Sequence, residues 1–222
     1  MAPVTSINTR RRTSLPAAAA FGLAFGWVEA AVVVYLRRLY YPEGFRFPLN
    51  FLPADIAAVE ITRELATLVM LGAAACLGAR SRWGRFGLFA FLFGVWDLAY
   101  YGGLFAAISW PSSPGEWDVL FLVPGIWSGP VWTAALIALL LVVCGAVIYV
   151  RGESSRLENP RARHWLMAAA AFTAILSGFL ANHGLVIGGG APRHFPTLLF
   201  LSGVVVGIVA FLDVLRSSRG MS

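Results

Sequence analysis

The sequence contains no lysine, few charged residues and only two cysteines. Charged residues make up 13% of the 222 positions, whereas 59% of the residues are hydrophobic and the mean hydropathy is +0.74. A soluble domain of this size could not place so apolar a composition on its surface. The composition therefore excludes an ordinary soluble protein and predicts an integral membrane protein.

The scarcity of cysteine excludes two further classes of protein. Cys76 and Cys144 lie in separate apolar segments, and the CxxC spacing is absent. A redox pair or a metal site built on cysteine is therefore not expected, and both residues are predicted to be small, buried apolar side chains. No motif in the sequence indicates a metal or identifies a cofactor.

Long apolar segments define the predicted architecture. A helix needs about 20 apolar residues to cross ~30 Å of hydrocarbon. Six such segments occur, at about 15–36, 57–78, 86–108, 131–149, 165–187 and 197–215. The connections between them are short, so we predict an all-α, polytopic bundle of six transmembrane helices that forms a single domain over residues 1–222.

The seventeen basic residues, all arginine, fall mainly on one side of this bundle. Twelve lie on the side of the two termini: Arg10, Arg11, Arg12, Arg80, Arg82, Arg85, Arg151, Arg156, Arg161, Arg163, Arg216 and Arg219. Four lie on the other side, and Arg63 lies inside a span. By the positive-inside rule both termini are cytoplasmic, in a multi-pass protein of a bacterial-type inner (plasma) membrane.

This distribution also explains the net charge of +6 without nucleic acid. No pattern of basic and aromatic residues typical of nucleic-acid binding accompanies the arginines. The lipid bilayer is the predicted partner, and nucleic acid is not. A small-molecule ligand, a second copy of the chain or a larger membrane complex remain open as further partners.

Five charged residues lie in the middle or outer parts of the predicted spans, whereas Asp213 lies near the inner end of the sixth span. Glu60, Arg63 and Glu64 have the i, i+3, i+4 spacing that places side chains on one helical face. Glu29 and Asp97 occupy the first and third spans. Ionisable groups inside a bilayer usually face a bundle interior or a hydrated cavity. We therefore predict an outward-facing acidic pocket with Arg63 at its centre.

A short repeated pattern supports the convergence of two of these acids. The first span contains "FGWVE" at 25–29 and the third contains "FGVWD" at 93–97, with a glycine three residues before each acid. Small residues let helix backbones approach closely. Gly26 and Gly94 are therefore predicted to bring Glu29 and Asp97 toward one packing seam.

The acids of the pocket outnumber its single arginine, so some of them must be protonated, hydrated, paired with Arg37 or Arg38, or bound to a cation. A carboxyl group between desolvation and a nearby cation is a candidate proton carrier. Tyr100, one turn beyond Asp97, and His183, in the outer part of the fifth span, join the candidate binding or proton-carrying residues.

The segment before the fourth span is predicted to cover the pocket. Pro124 and Pro130 interrupt the apolar run "DVLFLVPGIWSGP", and non-helical backbone at membrane depth is tolerated only against protein or a water-filled cavity. This favours a re-entrant or interfacial segment, with Trp96, Asp118 and Trp127 at the rim of the pocket. An aromatic belt at the outer interface is the simpler interpretation of most nearby aromatic residues.

Three functions are compatible with these features. The first is binding or transport of a small polar or cationic solute, alone or coupled to protons, because acids and aromatic rings together attract cations. The second is a non-catalytic subunit or assembly factor of a membrane complex. The third is an enzyme at the outer leaflet that uses carboxylates and histidine.

A serine chemistry is the least supported form of the third function. Ser128 in "GIWSGP" together with His183 in "ANHG" resembles the rhomboid intramembrane proteases, and this resemblance would imply a serine nucleophile and a histidine base. The chain departs from that family because a tryptophan precedes Ser128 and the matching glycine is displaced by one position. If the protein is an enzyme, Asp118, Glu60 or Glu64 and His183 are the candidate acids, bases or ligands, and the catalytic residues stay unknown.

Overall fold

The computed structural model describes residues 14–157 and 159–217, and 72% of them are helical. In chain order the helices are α1 (Leu15–Tyr40), α2 (Ala54–Gly78), α3 (Arg82–Ile108), α4 (Val131–Glu153), α5 (Ala162–Leu180), α6 (His183–Ile187) and α7 (Thr197–Ser217). Two strands, β1 (Trp117–Phe121) and β2 (Trp127–Pro130), lie between α3 and α4.

Six helical segments are long and apolar enough to cross a membrane, as the sequence predicted. Five are single helices, and the fifth in chain order, 162–187, contains α5 and α6. The bounds differ from the predicted ones by a few residues. At the start of α3 the Ser81 hydroxyl accepts a hydrogen bond of 2.8 Å from the Gly84 N–H, which is a typical N-cap.

Helix α3 lies at the centre of the bundle, and α1, α2 and α4 all pack against it. Gly26 of α1 faces Trp96 and Ala99 of α3, as predicted. Gly94 instead faces Ala138 of α4. The two glycine patterns are therefore not equivalent in packing, because α3 is enclosed by helices on several sides and each glycine serves a different contact.

Ion pairs and backbone hydrogen bonds show which helix ends lie together. At one end the Glu153 carboxylate of α4 accepts hydrogen bonds from the backbone N–H groups before α3, at 3.0 Å from Arg80 and 2.8 Å from Ser81. There too Asp213 of α7 pairs with Arg163 of α5 at 2.8 Å. This end carries most of the described arginines, and we call it the basic end. Arg10, Arg11, Arg12 and Arg219 lie outside the described residues.

The opposite end holds a β-hairpin that sequence reasoning expected only as a non-helical segment. Strands β1 and β2 are antiparallel, with Trp117 opposite Pro130 and Asp118 opposite Gly129. At the tip of the hairpin Phe121 stacks on Phe93 of α3, with ring centroids 6.0 Å apart and planes at 14°. Because Phe93 lies near the middle of α3, the hairpin extends from the end of the bundle toward its centre. We call this the hairpin end.

Two local details differ from the sequence-based picture. Cys76 is exposed on the surface of α2 and Cys144 is half-buried, so the prediction that both are buried is wrong for Cys76. The reason is that α2 packs mainly against α3 and leaves its other faces outward. The fifth span is interrupted after Leu180, where the Asn182 side chain donates to the His194 carbonyl at 2.9 Å and ties the chain to the next connection.

Candidate functional site

A small cavity lies between α1, α2, α3 and β1, and we call it the acid cavity. Three carboxyl side chains line it, those of Glu29, Glu64 and Asp97. The rest of its wall consists of Val33, Arg63, Thr67, Trp96, Tyr100, Tyr101 and Val119–Phe121. Its volume is about 60 Å³, whereas pockets for drug-sized ligands measure ~300–1,000 Å³. The acid cavity therefore has room for a few water molecules or a very small solute.

Arg63 holds two carboxylates at one side of this cavity. Its guanidinium pairs with Glu60, one helical turn earlier, at 2.8 Å, and also with Glu29 of α1. The Thr67 hydroxyl lies 3.5 Å from the second oxygen of Glu29. Glu60 pairs with Arg63 without lining the cavity itself. The predicted central position of Arg63 thus corresponds to an ion pair that joins α1 to α2.

Glu64 faces the hairpin. Its carboxylate accepts a hydrogen bond of 2.9 Å from the backbone N–H of Leu122, which follows β1. Hydrogen bonds to an ionised acceptor are stronger than those between neutral groups. Glu64 therefore anchors the hairpin tip, and its ionisation affects both the charge of the cavity and this anchor.

Asp97 has no such partner. Its carboxyl group lines the acid cavity, and in the part of the chain that the structure describes it forms no ion pair and no hydrogen bond. The other acids of the cavity wall are Glu29 and Glu64. Asp97 is half-buried, and a carboxylate without a cationic partner in a partly dehydrated site is unfavourable, so this group is suited to bind a small cation.

Asp118 of β1 forms a second ion pair beside the cavity. Its carboxylate lies 3.0 Å from the Arg37 guanidinium at the end of α1, and Tyr100, which lines the cavity, donates to it at 3.3 Å. Burial raises the pKa of Asp118 above its usual range, although the Arg37 charge acts in the opposite direction. Asp118, predicted at the rim, is thus a buried residue between the hairpin and α1.

Other predicted site residues serve the hairpin and do not line the cavity. The His183 Nδ1 atom accepts from the Ile126 N–H at 3.0 Å, and Trp127 stacks on Phe179 of α5, with ring centroids 6.1 Å apart. The Ser128 hydroxyl is buried and has no hydrogen-bond partner among the described residues. A Ser128–His183 hydrogen bond, which serine chemistry of the rhomboid kind would need, is therefore not formed.

Sequence reasoning missed part of the cavity wall. Val33 lies four residues after Glu29, and Thr67 lies four residues after Arg63. This helical spacing could have placed both side chains on the faces that carry the acids. Val119–Phe121 had no comparable signal, because the register of the hairpin decides which of its residues line the cavity.

Comparisons of the chain with family models, with curated proteins and with solved structures give no match. Among residues 14–157 and 159–217 no group of three or more His, Cys, Asp or Glu side chains is arranged to hold a metal ion. The function is therefore argued from the chemistry of the acid cavity.

Proposed function

We propose that the protein binds a small cationic solute in the acid cavity and transports it across the membrane. The observation that carries this proposal is the Asp97 carboxyl group, which lines a cavity among other acids and has no partner of its own in the described structure. Counting Glu60 behind the wall, four carboxyl groups lie at the cavity, and the Arg63 guanidinium pairs with only two of them, Glu29 and Glu60. A monovalent cation would reduce this excess of negative charge.

The size of the cavity limits the solute. A volume of about 60 Å³ suits ammonium, methylammonium, an alkali cation or hydrated protons. The carboxyl groups of Asp97 and Glu64 and the ring faces of Tyr100 and Trp96 are the groups we assign to the solute, because carboxylates and aromatic faces both attract cations. Proton coupling follows if a proton replaces the solute on Asp97.

We further propose that both termini are cytoplasmic and that the cavity opens to the opposite side of a bacterial-type inner membrane. The twelve arginines assigned by sequence to the side of the termini support this orientation. The hairpin would then be a re-entrant segment, which the contact of Phe121 with the middle of α3 supports. At membrane depth the polar backbone of such a segment has to face protein or a water-filled cavity.

Uptake of radiolabelled methylammonium into proteoliposomes tests the transport proposal. The wild-type protein is expected to accumulate methylammonium above empty liposomes, and Asp97→Asn is expected to lower the rate at least ~10-fold, the effect of ~1.4 kcal/mol. Asp55→Asn is the matched control, because Asp55 is an exposed acid in the first turn of α2. Uptake by Asp97→Asn at the wild-type rate would refute the role of Asp97.

Binding is measured separately in nanodiscs. Trp96 is part of the cavity wall, so the difference in fluorescence between wild type and Trp96→Phe reports on the cavity. This difference signal is expected to change saturably with ammonium, methylammonium, sodium or potassium. A flat response to all four cations, together with no uptake, would exclude the proposed function and favour a subunit role.

A further inference from the structure

Arg37 occupies a site with the chemistry of a cation receptor. Its guanidinium lies 3.0 Å from the Asp118 carboxylate, 3.7 Å from the ring centroid of Trp110 and 4.4 Å from that of Phe45. The side chains of Arg37 and Asp118 are only 8% and 3% exposed. A carboxylate combined with aromatic faces, shielded from water, is a strong arrangement for binding a cation.

The fit of Arg37 in this site is incomplete. Its Nη1 atom is buried and has no hydrogen-bond partner in the described residues. A buried donor without an acceptor is unfavourable. Arg37 is therefore held less firmly than a buried arginine whose donors are all bonded, and another cation could compete with it for Asp118.

The site lies between two openings in the hairpin end. Phe45 and Trp110 also line a depression of about 460 Å³, which we call the outer depression and whose wall consists mainly of residues from the connections between helices. Tyr100, which donates to Asp118, lines the acid cavity. The Arg37 guanidinium therefore contacts the wall of the outer depression on one side and, through Asp118 and Tyr100, the wall of the acid cavity on the other.

We infer that Asp118, Tyr100, Phe45 and Trp110 form a second cation-binding site at the outer entrance of the acid cavity, which takes guanidinium or alkylammonium groups and which Arg37 fills as a tethered ligand. The site itself rests on the contacts of Arg37 alone. Its role as an entrance, in which an arriving solute displaces Arg37, rests on the proposed function.

Removal of the tethered ligand tests the site. Arg37→Ala, purified in nanodiscs, is expected to bind guanidinium added at millimolar concentration. The binding should raise Tm with the logarithm of the guanidinium concentration above Kd, by ~4 °C at ten times Kd. Arg46→Ala is the matched control, because Arg46 forms an exposed pair with Glu43 in the same end of the molecule. The control and the wild type should show only the weak destabilisation caused by guanidinium in general. A response of Arg37→Ala identical to theirs would overturn the inference.

A failure of Arg37→Ala to fold is itself informative. Purification in millimolar guanidinium should then give a monodisperse protein, whereas the same concentration of sodium chloride should not. Equal failure in both salts would overturn the inference.

Two additional variants test whether the aromatic ring takes part. Adding Trp110→Leu to Arg37→Ala should weaken guanidinium binding at least ~10-fold, because the closest ring face is lost. Adding Trp117→Leu should leave binding unchanged, because Trp117 lines the outer depression but forms no cation–π contact with Arg37. Equal effects of the two substitutions would contradict the assigned site.

The outcomes separate this inference from the transport proposal. If Arg37→Ala binds guanidinium but the wild type does not take up methylammonium, the second site is supported and its role in transport is excluded. If the wild type takes up methylammonium but Arg37→Ala does not bind guanidinium, the role of the acid cavity in transport is supported and the second site is excluded.

Discussion

Replacement of Arg63 by glutamine should destabilise the protein strongly. The guanidinium pairs with Glu29 and Glu60, and the three side chains are 22%, 10% and 8% exposed, respectively. Removing one partner of a buried pair costs ~3–5 kcal/mol, because it leaves an uncompensated charge. Here two carboxylates lose their partner, but both can take up protons and Arg63 is partly exposed. We therefore expect a loss near the lower limit, ~3 kcal/mol.

Equilibrium unfolding in lipid bicelles at neutral pH measures this loss. Arg46→Gln is the control, because it breaks the ion pair with Glu43, whose two side chains are 72% and 77% exposed. Exposed pairs contribute little, so the control should lie within ~0.5 kcal/mol of the wild type. A difference between the two variants then measures burial of the pair and not the loss of an arginine as such.

A combined variant distinguishes lost charge pairing from lost packing. Glu29→Gln and Glu60→Gln, added to Arg63→Gln, remove all three charges and leave neutral amides. Since a neutral group costs less to bury than an unpaired ion, the triple variant should regain more than half of the stability that Arg63→Gln loses. The reasoning would be refuted if the three losses simply added, or if Arg63→Gln alone stayed within ~0.5 kcal/mol of the wild type.

Three further predictions concern the hairpin and the helix packing. Burial raises the pKa of Asp118. The stability that protonated Asp118 contributes is therefore present below about pH 4 and is lost as the pH rises through the raised pKa. The free energy of unfolding of the wild type minus that of Asp118→Asn should fall over this pH range, and a rise would contradict the prediction. Gly26→Ala should cost ~1–3 kcal/mol in thermal unfolding, because its methyl group would meet the backbone of α3, whereas Gly72→Ala, in open space, should stabilise by up to ~1 kcal/mol. Phe121→Ala should cost ~3 kcal/mol or more through its lost ring contacts; a loss as small as that of Phe105→Ala, on an exposed face, would show that the hairpin tip is not packed.

The helical part of the fold could be predicted from the sequence because a transmembrane helix depends on local properties. Length and hydropathy alone identified all six spans. The hairpin could not be predicted in the same way. Pro124 and Pro130 excluded a continuous helix, but the pairing of Asp118 with Gly129 depends on contacts with several helices.

In the candidate site, too, local contacts could be predicted from the sequence and long-range contacts could not. The i, i+3 spacing of Glu60 and Arg63 is a local feature, and the structure forms that pair. The Arg37–Asp118 pair joins residues 81 positions apart. It depends on the register of the hairpin, and the sequence analysis considered Arg37 only as a partner of the pocket acids. His183 was assigned to the pocket by its depth, but its contact with the Ile126 N–H directs it to the hairpin tip.

Asp97 differs from the paired acids of the bundle, and this difference bears on whether Asp97 is structural or functional. At the hairpin end Glu29, Glu60 and Asp118 form ion pairs. At the basic end the carboxylates of Glu153 and Asp213 bond to backbone N–H groups or to cationic side chains, and they join neighbouring helices. Within the described residues Asp97 forms no ion pair and no hydrogen bond, so a neutral side chain of similar size would stabilise the fold as well or better. Retention of an ionisable group where the fold gains nothing from it is expected when the group acts on a ligand or a proton. If Asp97→Asn is at least as stable as the wild type while uptake falls, the carboxyl group of Asp97 serves function and not stability. If Asp97→Asn unfolds more readily than the wild type, Asp97 stabilises the fold and the functional interpretation is wrong.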